Sequence, residues 1–358
     1  MAKQPPAPFS CTYTPNLPEF FLQAGCTLAV STYQAGKVIF LSAVNDEKLV
    51  QLPRNFRSAM ALGALGDKLA VAERDKVVVL RSVPGLAAGY PKQQNTYDTM
   101  YIPQASYYTG PIDLHGLEWG TQGLWAVNTS FSCLCLIGEN FSFYPVWKPS
   151  WVSELMPEDR CHLNGMAMKE GKPEFVTAFN RGNSRRSWKE GLPGGGVLIH
   201  VETGEVILED LQMPHTPRLY NGKIYMLLSA TGEIICVDPE TGENDIVNKV
   251  NGFVRGMSKY GDFLFVAYSR LRKNASIFKD LPIADKCKNA GVDVFHLPTG
   301  ARVGGLWYQS SVDEIFDIQV LPEITRPGIL NTESEILSRA IVTPDRAFWL
   351  HQEKEEKK

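Results

Sequence analysis

The sequence predicts an all-β fold, a six-bladed β-propeller whose ring is closed by N- and C-terminal strands in one blade. Two repeated patterns and the way the chain ends predict it. Residues 195–206, 232–243 and 291–302 share one hairpin: a run of β-branched or apolar residues, then a turn closing on Gly204, Gly242 or Gly300. Glycine suits the positive φ of such a turn, and a second strand follows it. These are the third and fourth strands of a blade.

Upstream lies the second pattern, a short apolar strand, a glycine-containing turn and a very apolar strand. It appears as 56–62 with 68–72, 114–119 with 123–128, 163–168 with 174–179, 215–220 with 223–229, and 253–258 with 262–269. A further first strand, 314–321, has no blade after it. The N-terminal runs 27–32, 37–41 and 49–52 read as second, third and fourth strands that lack a first. Joining the two ends in one sheet removes the exposed edges of an open ring and fixes the count at six. The whole chain, 1–358, reads as one propeller domain with insertions near 82–111, 180–194 and 270–290, the third of them basic and with room for a short helix. Amphipathic helical periodicity of the kind a parallel α/β fold needs is missing.

The 358 residues are 44% hydrophobic and carry a net charge of −3. That balance argues against nucleic-acid binding, which relies on a basic surface to displace counterions. No apolar run approaches the roughly 20 residues that span a bilayer, and residues 1–8 lack the apolar core of a signal peptide. Seven scattered cysteines suit neither a disulfide framework nor a zinc knuckle, so the expectation is a reduced, cytoplasmic protein without a membrane association.

In such a ring the first strands line the channel and their starting ends meet near the axis. The polar residues there are Arg57 with Asn55, His115 with Asp113, His162 with Asn164, His215 with Arg218, Arg255, and Glu314 with Asp313. Three of the six histidines thus fall in three consecutive blades. His115, His162 and His215 could share one divalent transition metal, Zn, Fe or Cu, each giving one neutral imidazole nitrogen. Glu314 would be a fourth ligand or the acid/base. Arg57, Asn164, Arg218, Arg255 and Asp313 would bind a small anionic substrate, since guanidinium pairs bidentately with carboxylates.

Blander readings stand beside these. Channel residues often bond only water and carbonyls, His115 aligns with Asn164 rather than with His162, and Arg218 could brace neighbouring blades. The same residues could equally form a metal-free pocket for a polar or anionic ligand. Arg185, Arg186 and Trp188 form a possible lid over the channel, or a solvated loop. His200, His296 and His351 read as structural.

The stretches 113–119, 128–134, 157–168, 194–199, 213–219, 253–257 and 313–318 carry a resemblance covering roughly residues 20–325. Through them the chain resembles an uncharacterised bacterial family of propeller-like proteins labelled as a domain of unknown function. The resemblance implies that the histidine, asparagine, arginine and acidic residues at the channel mouth belong to the family pattern. It implies no reaction. The functional expectation is an enzyme of lyase, isomerase or oxygenase type acting on a small carboxylate in the channel. The alternative is a non-enzymatic propeller that binds a ligand or docks a protein partner, for which the aromatic residues of 82–125 are suited.

Overall fold

The computed structural model describes residues 6–271, 278 and 280–351. Its strands form six antiparallel blades around a central channel. Blade one joins the C-terminal strand Asp317–Pro322 to Cys26–Thr32, Lys37–Ala43 and Leu49–Asn55. Blade two runs Leu62–Leu65, Lys68–Ala72, Lys76–Val83, Met100–Tyr108, and blade three Leu114–Gly120, Gly123–Asn128, Cys133–Ile137, Tyr144–Trp147. Blade four runs Leu163–Lys169, Lys172–Ala178, Gly196–His200, Val206–Leu211. Blade five runs Pro214–Tyr220, Lys223–Leu228, Glu233–Val237, Asn244–Lys249, and blade six Phe253–Tyr260, Phe263–Ser269, Gly291–His296, Ala301–Tyr308. Each innermost strand touches the next, from blade one round to blade six and back.

The three predicted hairpins are the third and fourth strands of blades four, five and six. Gly204, Gly242 and Gly300 have φ of +71°, +74° and +68°, the conformation their turns require. Closure also follows the expectation, with Ser31 opposite Asp317 and Thr27 opposite Leu321.

Several boundaries differ from the sequence reading. In blade two the first strand is Leu62–Leu65 rather than 56–62, because Ser58 turns the chain at φ +51°. The last inner strand begins at Asp317 rather than residue 314, where the Ser31 hydroxyl takes the Asp317 N–H at 3.0 Å and the Ser31 carbonyl takes that of Phe316. The segment 82–111 is not an insertion throughout. It holds the fourth strand of blade two, whose pattern is obscured by Pro103 at a register shift opposite Leu80. The possible helix in 270–290 falls partly on 272–277 and 279, outside the described residues, while 281–286 forms turns.

Two short strands add edges that the sequence reading lacks. Cys11–Tyr13 pairs outside Ala301–Tyr308, and Gly328–Ile329 lies parallel to Met100–Tyr108. Between the first of these and blade one runs the helix Leu17–Ala24, stopped by Gly25 at φ +60°. Leu17 and Phe21 lie in one apolar cluster with Phe265 and Leu306 of blade six and Leu28 and Leu41 of blade one. Burying each such side chain contributes roughly 1.5–3 kcal/mol.

A hydroxyl at the end of a second strand repeatedly ties its blade to the next. The hydroxyls of Ser31, Thr129, Ser229 and Ser269 donate to the carbonyls of Met60, Leu163, Val254 and Ile315. Deeper in the channel, Arg218 of blade five pairs with Glu118 of blade three at 3.0 Å and donates to the Met166 carbonyl of blade four at 3.1 Å. Asp317 of blade one accepts the Leu62 N–H of blade two at 2.9 Å. Arg218 is therefore a brace, the blander of its two sequence readings, rather than a free substrate ligand. Both partners are enclosed by protein, so Arg218→Leu leaves Glu118 uncompensated and should lower stability by about 2 kcal/mol. The double change Arg218→Leu with Glu118→Leu should recover most of that loss in urea unfolding.

Candidate functional site

Asp113, His162 and Met213 begin the inner strands of blades three, four and five in the same way. Each is left-handed, with φ of +56°, +49° and +58°. Their carbonyls accept the N–H of Thr129, Phe179 and Ser229 respectively. Two residues further on lie His115, Asn164 and His215. The latches to Leu163 and Val254 put these two residues on one level, so Arg255 of blade six joins the same layer. Four consecutive blades thus contribute His115, Asn164, His215 and Arg255, and His162 stands one layer nearer the mouth.

The hydrogen bonds fix the ring nitrogens. Nδ1 of His115 donates to the Asp113 carbonyl at 3.1 Å and to the Thr129 hydroxyl at 2.9 Å, whose own hydrogen is committed to Leu163. His215 repeats this with the Met213 carbonyl at 3.0 Å and Ser229 at 2.6 Å. Nε2 is therefore the lone-pair nitrogen of both rings. Burial pushes both imidazoles well below the usual 6.5, helped by the nearby charges of His162 and Arg255 at His115 and of Arg255 at His215.

Arg255 spans the channel. Its Nη1 pairs with Glu314 at 2.9 Å, its Nη2 reaches Nε2 of His115 at 3.3 Å, and its guanidinium lies 3.8 Å from the Phe316 ring centroid. Two buried donors in this layer have no partner among the described residues: Nε of Arg255 and Nδ2 of Asn164. Asn164 is 3% exposed, and its Oδ1 accepts from Thr177 at 3.0 Å. Buried donors without a partner are uncommon in protein interiors, and each calls for a physical explanation.

Trp188 roofs the layer. Its ring lies 4.3 Å from His162 and 5.5 Å from Phe179, and Nε1 donates to Asp159 at 2.8 Å. Asp159 also accepts from Nδ1 of His162 at 3.1 Å. Trp188, Phe179, Met213 and Phe253 pack with Leu281, Ile283 and Cys287, so two insertions share one apolar cap over blades four to six. Arg160, 6% exposed, holds the first of them through Asn183 and Ser153, both at 2.9 Å. Trp188 of this loop is buried, while Arg185 and Arg186 are exposed.

The other sequence candidates separate from this layer. Arg57 has a side chain 65% exposed and pairs with Asp75 at 4.0 Å. Asp313 meets Arg270 at 3.6 Å. Glu314 is engaged by Arg255 rather than free as a base. His200 and His296 bond Thr203 and Thr299 inside their own hairpin turns, and His351 is exposed.

Tested against a metal, the three histidines fit poorly. His115 and His162 are close, with centroids 4.9 Å apart, and His162 and His215 both flank Phe179, at 4.5 and 5.2 Å. Proximity alone does not make a donor set, however. Nε2 of His115 faces a guanidinium, and His162 belongs to another layer. Among the described residues no group of three or more His, Cys, Asp or Glu is placed to hold an ion.

Residues that sequence reasoning passed over include Asp159, Phe179, Phe316 and the latch hydroxyls. Asp159 had a signal, standing three residues before His162 in a stretch already singled out. The others carry none, since apolar and hydroxyl residues are common at strand ends.

The motifs that surround this layer match a known family profile over residues 15–330, described as a domain of unknown function (DUF4915). The chain belongs to the DUF4915 family. No curated protein matches this DUF4915 chain. Among solved structures it is similar to a chain in the crystal structure of a nidogen/laminin complex, at 10% identity and a TM-score of 0.52, covering 83% of this chain and 99% of that one. That likeness concerns the propeller fold. A second likeness, to the Pan2 WD40 domain of Neurospora crassa, has 11% identity and a TM-score of 0.36 over 68% of this chain and 64% of that one. All seven cysteines are free, and no helix among the described residues is long and apolar enough to cross a membrane.

The two depressed histidines of this DUF4915 site set a pH dependence. Below 6.5 the unfolded chain takes up protons that the folded rings refuse, so these positions lose stability as pH falls. Asp317, pushed up to about 6 by burial, acts oppositely between that value and the ordinary 3.8. Imidazole nitrogen shifts of His115 and His215 in NMR should therefore report neutral rings at pH 6, where a free imidazole is mostly protonated.

Proposed function

We propose that the channel mouth binds a small carboxylate and offers it a neutral imidazole as proton acceptor, without a resident metal. The observation that carries this reading is the pair of unsatisfied donors, Nε of Arg255 and Nδ2 of Asn164, on either side of His215 around the ring. A carboxylate supplies acceptors to both donors. His215, neutral and with Nε2 as its lone-pair nitrogen, is then the base. His115 and Glu314 hold the guanidinium in place from its other edge. Trp188 excludes water from above, which strengthens each of these contacts.

Such a constellation suits proton abstraction next to a carboxylate, the common step of many lyases and isomerases. The free cysteines support a reducing compartment such as the cytoplasm. A second reading, docking of a protein partner, has its own observation. Tyr108 and Phe141, 74% and 67% exposed, line a cleft of about 600 Å³ between blades two and three.

Calorimetry of the untagged protein with acetate, propionate and lactate should detect saturable binding. Arg255→Met and Asn164→Leu should each weaken it by about tenfold or more. Tyr108→Ser and Phe141→Ser should leave it unchanged, and metal analysis of the same preparation should find well below one equivalent. Absence of binding by all three acids would overturn the proposal.

A further inference from the structure

Resting on the carboxylate reading above, a further property of the ligand follows from the charges around the mouth. Three acids meet there: Asp113, Asp159 and Glu314. Glu314 is balanced by Arg255, and Asp159 is engaged by His162 and Trp188. The Asp113 carboxylate, by contrast, has neither a hydrogen bond nor an ion pair with any described residue; its carbonyl is what His115 and Thr129 use. His162, Arg255 and Arg186 lie near enough for their charges to act on Asp113, yet His162 is bonded to Asp159, Arg255 is already paired and Arg186 is exposed to solvent.

Of the three acids, the Asp113 carboxylate alone has no directly bonded partner among the described residues. A purely anionic ligand places a further unpaired anion beside it. A ligand that brings its own cation does not. We propose that the ligand is a small zwitterion of the amino-acid type, its carboxylate on Arg255 and Asn164 and its ammonium group at Asp113.

The pattern of donors and acceptors agrees with this assignment. An ammonium group is a donor without acceptors, which a carboxylate lacking partners can receive. The carboxylate end meets two donors that no described residue satisfies. The shared cap is built over blades four to six, and Asp113 of blade three is exposed, so the amine end lies toward solvent. Opposite signs at the two ends also fix which way round the molecule enters.

The test compares size-matched probes on the full chain by calorimetry: L-alanine, L-lactate, propionate and ethylamine. L-alanine should bind roughly tenfold or more tightly than L-lactate and propionate. Asp113→Asn should abolish that preference while retaining propionate. Asparagine tolerates the left-handed backbone at this position, and an unchanged unfolding midpoint checks the fold. Should the variant misfold, the wild-type ranking decides alone. Equal or tighter binding of L-lactate or propionate sinks the zwitterion and leaves the carboxylate reading standing. If ethylamine matches L-alanine, the carboxylate contributes nothing, and the zwitterion fails on that side. If neither L-lactate nor propionate binds, the underlying carboxylate reading fails, and the zwitterion that rests on it fails as well.

Discussion

A ring of sheets has no stable partial form, and here everything hangs on one pairing between distant parts of the chain. The strand Asp317–Pro322 completes the sheet begun by Cys26–Thr32, and the side chains at its start do more than extend a ladder. Ser31 bonds forward to Met60 of blade two and takes the N–H of Asp317, while the Asp317 carboxylate reaches the Leu62 N–H. Two inner strands and the second strand of blade one are thereby joined at one point. Burial raises the Asp317 carboxyl to about 6, the energetic consequence of placing an acid where only backbone donors and a distant arginine can receive it.

Closure is what turns local strand patterns into a site. The inner strands start at equivalent places, so any residue two positions beyond the left-handed turn points into a shared layer. At four of the six junctions a hydroxyl latch then fixes the level of one inner strand against the next. That is why Nδ1 of His115 and of His215 find the same pair of partners in blades separated by a hundred residues of sequence. It is also why His162, on the turn residue itself, rises out of the layer and stacks under Trp188 instead.

The layers differ in what they hold together. The deeper one, with Arg218, Glu118 and the Met166 carbonyl, is satisfied internally and braces blades three to five. The upper one is left with two donors unmet and an acid without a partner. Internal satisfaction favours rigidity, and unmet groups favour a ligand. This contrast, a few ångströms along one channel, separates scaffold from site.

Sequence by itself determined the blade count, the hairpins with their turn glycines, and the closing blade. These rest on short-range rules: alternation along a strand, positive φ at glycine, and the need to remove sheet edges. It left unread the fourth strand of blade two, because Pro103 breaks the pattern, and the two added edge strands, because three residues or fewer carry no periodicity. Tertiary structure alone decided which polar residues share a layer. Arg57, Arg218, Arg255 and Asp313 look alike as a list, yet one is exposed, one braces, one spans the channel and one meets Arg270. Those outcomes depend on depth along the axis and on partners supplied by other blades, and neither is encoded within any single strand.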